Sequence, residues 1–483
     1  MSSLNVIIHE LKHESLISSE IAESLQSIGG SVEKLFERVG TKSKAKKINA
    51  KVTHYCESLR SFAITLHFYS PKAYNYIRKT FKNCLPHERT LQKWFRNVSS
   101  KPGFSNDSFT ALEYKIKFLK SQGKFAPCAL LMDEMAIKQQ IEWQGDNASG
   151  YVDLGMHEND PCTAKIANEA LVFMVVSLND SWKLPVGYFF TSSLNGEDKS
   201  NLVKQCLTLL HSVGADVQSL TFDGAGTNIK MAQILGCRLT IGDIVHHFPH
   251  PVTNADVCII LDACHMLKLI RNLFGDRERI LDGNGGEIRF KYIKNLHSLQ
   301  KTCGLHLRNK LRDSHLQYFK KKMSVKLAAQ TLSDSVADAI QFLSESKVDG
   351  FEGSEATVIF IRTVNRLFDI FNTRNLIGYG YKKPLSDENY SLVSQQLSKD
   401  SDYLSNLKCC TSRKRLIETN RRTGLIGFMC NIQSLATLFM NIKKMNMQYL
   451  LTYKISQDHL ELFIGKIRSK LGCNTNSTIY RCI

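Results

Sequence analysis

Two aspartates stand where apolar runs give out. "APCALLMDEMAI" carries Asp133, and "VQSLTFDGAGTN" carries Asp223 ahead of a glycine turn. Two carboxylates at neighbouring strand ends repel each other unless a cation holds them. Hard oxygen donors with open coordination positions suit Mg²⁺ or Mn²⁺. Two such ions about 4 Å apart activate a water or a 3′-hydroxyl and stabilise the leaving oxygen of a phosphodiester. A third acid usually completes the set, and "SQDHLELFIGKIRS" (456–469) offers one. There Leu460, Phe463, Ile464 and Ile467 recur at helical spacing, and Asp458 and Glu461 are neighbours on the helix surface. Glu461 is the candidate third ligand. Alone, an Asp-x-x-Glu pair is a solvated edge on a core helix, so its meaning depends on the elements that position it.

Those elements are legible from residue 127 onward. "APCALLMDEMAI" reads as a buried strand ending at Asp133, and "GYVDLG" (150–155) as a short extended piece. "ALVFMVVSL" and "LPVGYFF" continue a meander across the turn "NDSWK". An amphipathic helix (198–214), a strand ending at Asp223, the helix "NIKMAQILG" and the strand-helix "VCIILDACHMLKLIRNLF" follow. The order β-β-β-α-β-α-β-α is that of an α/β ribonuclease-H-like core, in which the first and fourth strands are adjacent. Glu461 comes 238 residues after Asp223, which requires an inserted domain. The intervening patterns are nearly all helical, so we expect a core over 125–275, a large all-α insertion over 276–455, and a return to the core at 456–483. After the fifth strand, His265, Lys268 and Arg271 lie near one helical face. Lys268 and Arg271 are candidate phosphate contacts, and His265 is more simply a hydrogen-bonded structural histidine.

The chain has 483 residues, 43% of them hydrophobic, and a net charge of +18. Residues 41–104 hold fourteen Lys/Arg against two acids, Glu57 and Glu88. Such a concentration indicates a polyanion partner, most often nucleic acid. Residues 1–40 read as helical, either a hairpin broken at Gly29-Gly30 or a short dimerising helix, and 41–51 as a basic linker. Residues 52–105 give three short helical patterns, with Ser70 as N-cap and Pro71 at the first helical position of the second. The set matches a small helix-turn-helix domain, with Arg89, Gln92, Lys93 and Arg96 as exposed DNA-binding candidates and Trp94 and Phe95 in its core. No membrane-spanning run and no secretory leader are expected. The fourteen cysteines contain no C-x-x-C and fit neither a zinc module nor a disulfide framework.

"LLMDEMAI", "LTFDGAGTN", "DACHMLKLIRN", "TGLIGFMCNIQSL" and "SQDHLELFIGKIRS", in this order, resemble P element-type DNA transposases, including the THAP-domain transposases of animals. The resemblance runs from about residue 52 to about residue 472. It implies a ribonuclease-H-like domain that cuts and joins DNA in the nucleus as a homo-oligomer. It also implies a helical insertion that binds GTP without a P-loop, as a cofactor that is not hydrolysed. Asp133, Asp223 and Glu461 match the family's catalytic, metal-binding triad. Asn365 and Asp369 in "NRLFD" match guanine-recognising residues. They lie one turn apart on a helix, and an aspartate suits the guanine N1–H and N2–H₂ edge. The same resemblance assigns Lys310 and Val325 to the nucleotide base, and sets Asp458 beside the catalytic glutamate, facing the nucleotide. The zinc-binding THAP module has no counterpart in residues 1–50, and the chain ends about twenty residues after Glu461. The alternative is therefore a catalytically inactive, transposase-derived DNA-binding regulator or host-adopted protein.

Overall fold

The structure, a computed structural model, describes residues 101–144, 147–155, 165–240, 242–304 and 307–470, with parts of 55–91 and five positions within 9–17. The linker 41–51, most of the 1–40 segment, and Gln92, Lys93 and Arg96 fall outside the described residues. In the helix-turn-helix region, helix α1 (Pro71–Thr80) starts as its sequence dictates. The Ser70 hydroxyl accepts from the Ala73 amide at 3.2 Å, and Pro71 takes the first helical position. Tyr74 and Arg78 of α1 both donate to the Pro86 carbonyl, which fixes the turn before the next helix. Arg89 is exposed there.

The centre of the molecule is a seven-stranded mixed sheet. In chain order its strands are β1 (Gly103–Phe104), β2 (Pro127–Ala136), β3 (Glu169–Ser177), β4 (Lys183–Thr191), β5 (Asp216–Phe222), β6 (His247–Pro249) and β7 (Asp256–Leu261). In space the order is β1-β4-β3-β2-β5-β7-β6. The β2-β3-β4 meander is antiparallel, whereas β2, β5 and β7 run parallel. Strands covered on both faces need apolar side chains at every position. Cys128 through Met132 and Leu171 through Val176 meet that demand and are buried. Tyr151 and Asp153 of "GYVDLG" make only isolated bridges, to Ile166 and Phe190.

Helix α2 (Asn106–Ser121) follows β1 and packs on β4, α3 (Gly196–Ser212) packs on β5, and α4 (Gly226–Leu235) packs on α3. Helix α5 (Ala263–Arg277) leads from β7 into the insertion, whose pocket-forming helices are α6 (Asp334–Glu345) and α7 (Glu355–Phe371). The insertion also contains a small three-stranded sheet made by Arg279–Leu281, Glu287–Arg289 and Lys408–Cys409. The helical periodicities around these very short strands concealed them.

Helix α8 (Thr423–Lys444) falls inside the expected insertion, yet it packs on the core sheet and on α5. Its Asn431 accepts from the Leu261 amide at 2.8 Å and donates to the Leu261 carbonyl at 2.6 Å. Ser434 donates to the Ile259 carbonyl. Among the described residues α8 is the one helix long and apolar enough to cross a membrane. Much of that apolar surface is buried against α5 and β7. The chain then closes with α9 (Asp458–Lys470).

Candidate active site

Asp133 is not at the end of its strand, because β2 continues to Ala136 against β3. On its other side, however, parallel pairing with β5 stops at Leu131 and Thr221. Two residues further on stand Asp133, within β2, and Asp223, just past the end of β5. Equal offsets put both side chains on one face, at the open end of the β2/β5 ladder. The sequence found the juxtaposition but read a local end of pairing as the end of a strand.

Helix α9 is docked across that end. Thr221 donates to the Ile455 carbonyl at 2.8 Å, just before the helix. The Gln457 amide side chain donates to the Met132 carbonyl at 2.6 Å, next to Asp133. The Gln457 backbone N–H donates to Asp262 at 3.1 Å, and Glu461 lies one turn further on, its N–H bonded to the Gln457 carbonyl. Leu460 and Ile464 bury the helix's inner face, and Lys454 donates to the Leu178 and Asp180 carbonyls upstream.

The electrostatics report a shared site. Burial pushes the Asp133 carboxyl up to about 7, and Asp223, Glu461 and Asp262 push in the same direction. Glu461 is also raised, by partial withdrawal from water and by Asp458, with Lys268 opposing. Burial likewise raises Asp262 to about 7, although the amides of Gln457 and His265 favour its charged form. A divalent cation relieves this repulsion, so the donor chemistry fits Mg²⁺ or Mn²⁺ held by Asp133, Asp223 and Glu461. No tight group of three or more His, Cys, Asp or Glu side chains exists among the described residues. Asp133, Asp223 and Glu461 would therefore have to draw together around an ion.

Sequence reading missed the supports of this set. Asp223 accepts from the Ala225 amide at 2.9 Å and from the Asn228 side chain at 2.7 Å. Asn228 in turn accepts from the Lys199 ammonium at 2.8 Å. Lys199, with its side chain 1% exposed, also donates to Thr227 and pairs with Glu134 at 2.7 Å. A single buried cation therefore joins Glu134, beside Asp133, to the amide that orients Asp223. Nothing in the α3 pattern distinguishes Lys199 from a solvated lysine. His265 stands 3.9 Å from Asp223, its pKa lowered by burial and by Lys268 against the pull of Asp223.

Two expected phosphate contacts are placed otherwise. Lys268 is buried, and its charge favours the ionised form of Glu461. Arg271 is fully buried and is not a DNA contact. It donates to the Lys321 and Lys322 carbonyls and to Asn272, and lies over the Tyr318 ring at 5.4 Å. That ring rests on Gly275, where any Cβ would come within 2.3 Å of it. Arg271 is a clamp joining α5 to the insertion. Arg271→Ala is expected to leave DNA affinity unchanged and cost about 3 kcal/mol of stability, by exposing buried carbonyls to no partner; denaturant titration checks it.

A cavity of about 840 Å³ opens in the insertion. Asn365 and Asp369 of α7 line it, joined side chain to side chain at 3.0 Å. Burial raises the Asp369 carboxyl, with Lys382, 3.6 Å away, opposing. Arg362, Arg366, Arg374 and Lys382 also line it, each paired with a carboxylate, Asp338, Asp400, Asp458 and Asp369 in turn. Lys310 and Val325 do not line this cavity. Asp458 reaches it indirectly, since its carboxylate pairs with Arg374 and accepts from the Cys264 thiol. Arg374 gave no sequence signal.

A sheet of this order, carrying paired strand carboxylates and interrupted before its last helix, defines a ribonuclease-H-like domain with an insertion. Four sequence profiles match the chain in order. They are a transposable element P transposase-like HTH domain (10–94), a TNP-like RNase H N-terminal domain (100–236), a TNP-like GTP-binding insertion domain (264–384) and a TNP-like RNase H C-terminal domain (453–480). The chain belongs to the P element transposase-like family. It is 33% identical to the DNA transposase THAP9 of Homo sapiens, over 88% of this chain and 47% of that protein. It is 28% identical to the transposable element P transposase of Drosophila melanogaster, over 85% and 51% respectively. It thus spans about half the length of the curated relatives it matches. Its fold is that of the Drosophila P element transposase in a strand transfer complex, with TM-score 0.72 at 24% identity, covering 93% of this chain and 97% of that one.

Proposed function

We propose that this chain is a DNA transposase of the metal-dependent, three-carboxylate kind. It cleaves phosphodiesters at transposon ends and transfers the freed 3′-hydroxyl into target DNA. The observation that carries the reading is the equal offset of Asp133 and Asp223 beyond the Leu131–Thr221 pairing, with Glu461 raising the Asp133 carboxyl from α9. Bound divalent ions would supply an activated hydroxyl at neutral pH and charge stabilisation at the leaving oxygen. The chain's own groups do the positioning. Asn228 and the Ala225 amide engage one oxygen of Asp223, which leaves the other for a ligand. Lys268 offsets the charge of Glu461, and Gln457 ties α9 to β2. Double-stranded DNA as substrate assigns the nucleus as the place of action, and joining two ends calls for more than one copy. Cleavage of duplexes bearing the element's own ends is expected with Mg²⁺ or Mn²⁺ and abolished by chelator. Cutting that persists in excess chelator overturns the reading.

GTP is the proposed occupant of the cavity, with Asp369 accepting from the guanine edge, Asn365 beside it and the lining arginines facing phosphate. A carboxylate recognises the two guanine donors, and adenine presents no equivalent pair. Asp369→Asn is therefore expected to weaken GTP about 10- to 100-fold and ATP little, measured by calorimetry. Equal losses for both nucleotides rule out base recognition at Asp369.

A further inference from the structure

Residues 408–422, "KCCTSRKRLIETNRR", hold six Lys/Arg against one acid, Glu418. The first half is a backbone-pinned hairpin. Leu416 N–H bonds to the Leu407 carbonyl at 2.7 Å, Cys409 N–H to Lys414 at 2.8 Å and Arg413 N–H to Cys409 at 3.0 Å. Leu407 and Leu416 anchor its base in the core, and Arg413 turns the tip with φ of 55°. The second half runs into α8, where the Thr423 methyl lies so close to Gly224 that a Cβ there would come within 2.8 Å of it. Gly224 directly follows Asp223. A fixed ridge of positive charge thus leads from a hairpin tip to the rim of the carboxylate site.

Local acids do not neutralise this ridge. Glu418 is taken by Arg415 and Asp276 by Arg421, each at 2.8 Å. Arg413, Lys414 and Arg422 are exposed and form no ion pair among the described residues. A solvated basic face needs neither a pinned hairpin nor a course that ends beside the reacting centre. Three unpaired cations on a rigid scaffold suit a row of phosphates, and little ordering cost opposes binding.

We infer that Arg413, Lys414 and Arg422 form a track for the phosphate backbone of duplex DNA, guiding it to the Asp133–Asp223–Glu461 site. This rests on the reading of that site as a DNA-cutting centre. Contacts of this kind bind without regard to sequence and weaken with salt. The experiment is fluorescence anisotropy of a labelled duplex oligonucleotide with the full chain, in chelator, across a sodium chloride series. Chelator separates binding from cleavage, so failure here and failure of the catalytic reading are told apart. For the triple variant Arg413→Ala, Lys414→Ala, Arg422→Ala, the slope of log affinity against log salt is expected to fall by about 2 to 3, with roughly 100-fold weaker binding at low salt. Arg413→Lys with Arg422→Lys should keep the wild-type slope, and Lys204→Ala with Lys347→Ala, at exposed sites away from the ridge, should match wild type. A triple variant that folds, judged by its melting curve, and binds with the wild-type slope overturns the inference. An equal loss in the Lys204/Lys347 control also overturns it, since the charge would then act diffusely.

Discussion

Asp223→Asn, Asp133→Asn and Glu461→Gln are each expected to lower DNA cleavage by about 10³-fold or more while leaving duplex affinity in chelator within about threefold of wild type. These substitutions keep size and polarity and remove only a charge that a divalent ion would use. Asp133 gives the sharpest case. Its carboxyl is already held up to about 7 by burial and its anionic neighbours, so the asparagine sits comfortably in the metal-free fold. Stability in chelator should therefore hold or rise for Asp133→Asn. Loss of cleavage without loss of folding separates a ligand from a structural residue. Retention of wild-type cleavage by any one of the three removes that residue from the catalytic set.

Lys199→Met should have the second largest effect, and it falls on stability as well as on activity. The buried ammonium is the shared partner of the half-buried Glu134, of the exposed Thr227 and of the buried Asn228. Breaking one side of a buried pair strands the other charge, at a cost of about 3–5 kcal/mol. Asn228 also loses the group that sets its amide, and with it the orientation of Asp223. Denaturant unfolding in chelator measures the first effect, and the Mn²⁺ concentration for half-maximal cleavage measures the second. Glu134→Gln keeps a hydrogen-bond acceptor and should be milder on both scales. A Lys199→Met chain that unfolds within about 0.5 kcal/mol of wild type would show that the link between β2 and α4 does not matter.

The pattern of what the sequence revealed follows from which forces are local. Apolar runs fixed by burial on both faces announced β2, β3, β5 and β7, and their order announced the adjacency of β2 and β5. The Ser70-Pro71 start of α1 was legible because capping is a short-range bond. Asp133 was placed near Asp223 for a partly mistaken reason, since pairing with β3 runs past it and only the β5 side ends. The supports were not legible. Lys199, Gln457, Arg374 and Asn431 act through contacts between segments tens to hundreds of residues apart, and their side chains are ordinary for helices and loops. Arg271 shows the converse. Its spacing beside His265 and Lys268 pointed to phosphate, but in the fold its guanidinium satisfies carbonyls at the entrance to the insertion. Asn365 and Asp369 line one cavity, whereas Lys310 and Val325, assigned by the family resemblance, are not among its lining residues.

The central claim is that carboxylates from β2, from the end of β5 and from α9 hold one set of divalent ions. Anomalous diffraction from crystals of the chain soaked with Mn²⁺ tests it most directly. A peak is expected between Asp133 and Asp223, with ligand oxygens at about 2.2 Å and Glu461 reaching the same ion or a second about 4 Å away. Manganese bound elsewhere with this site bare, or a Glu461 carboxylate more than about 10 Å from both aspartates in the metal-bound state, would contradict it.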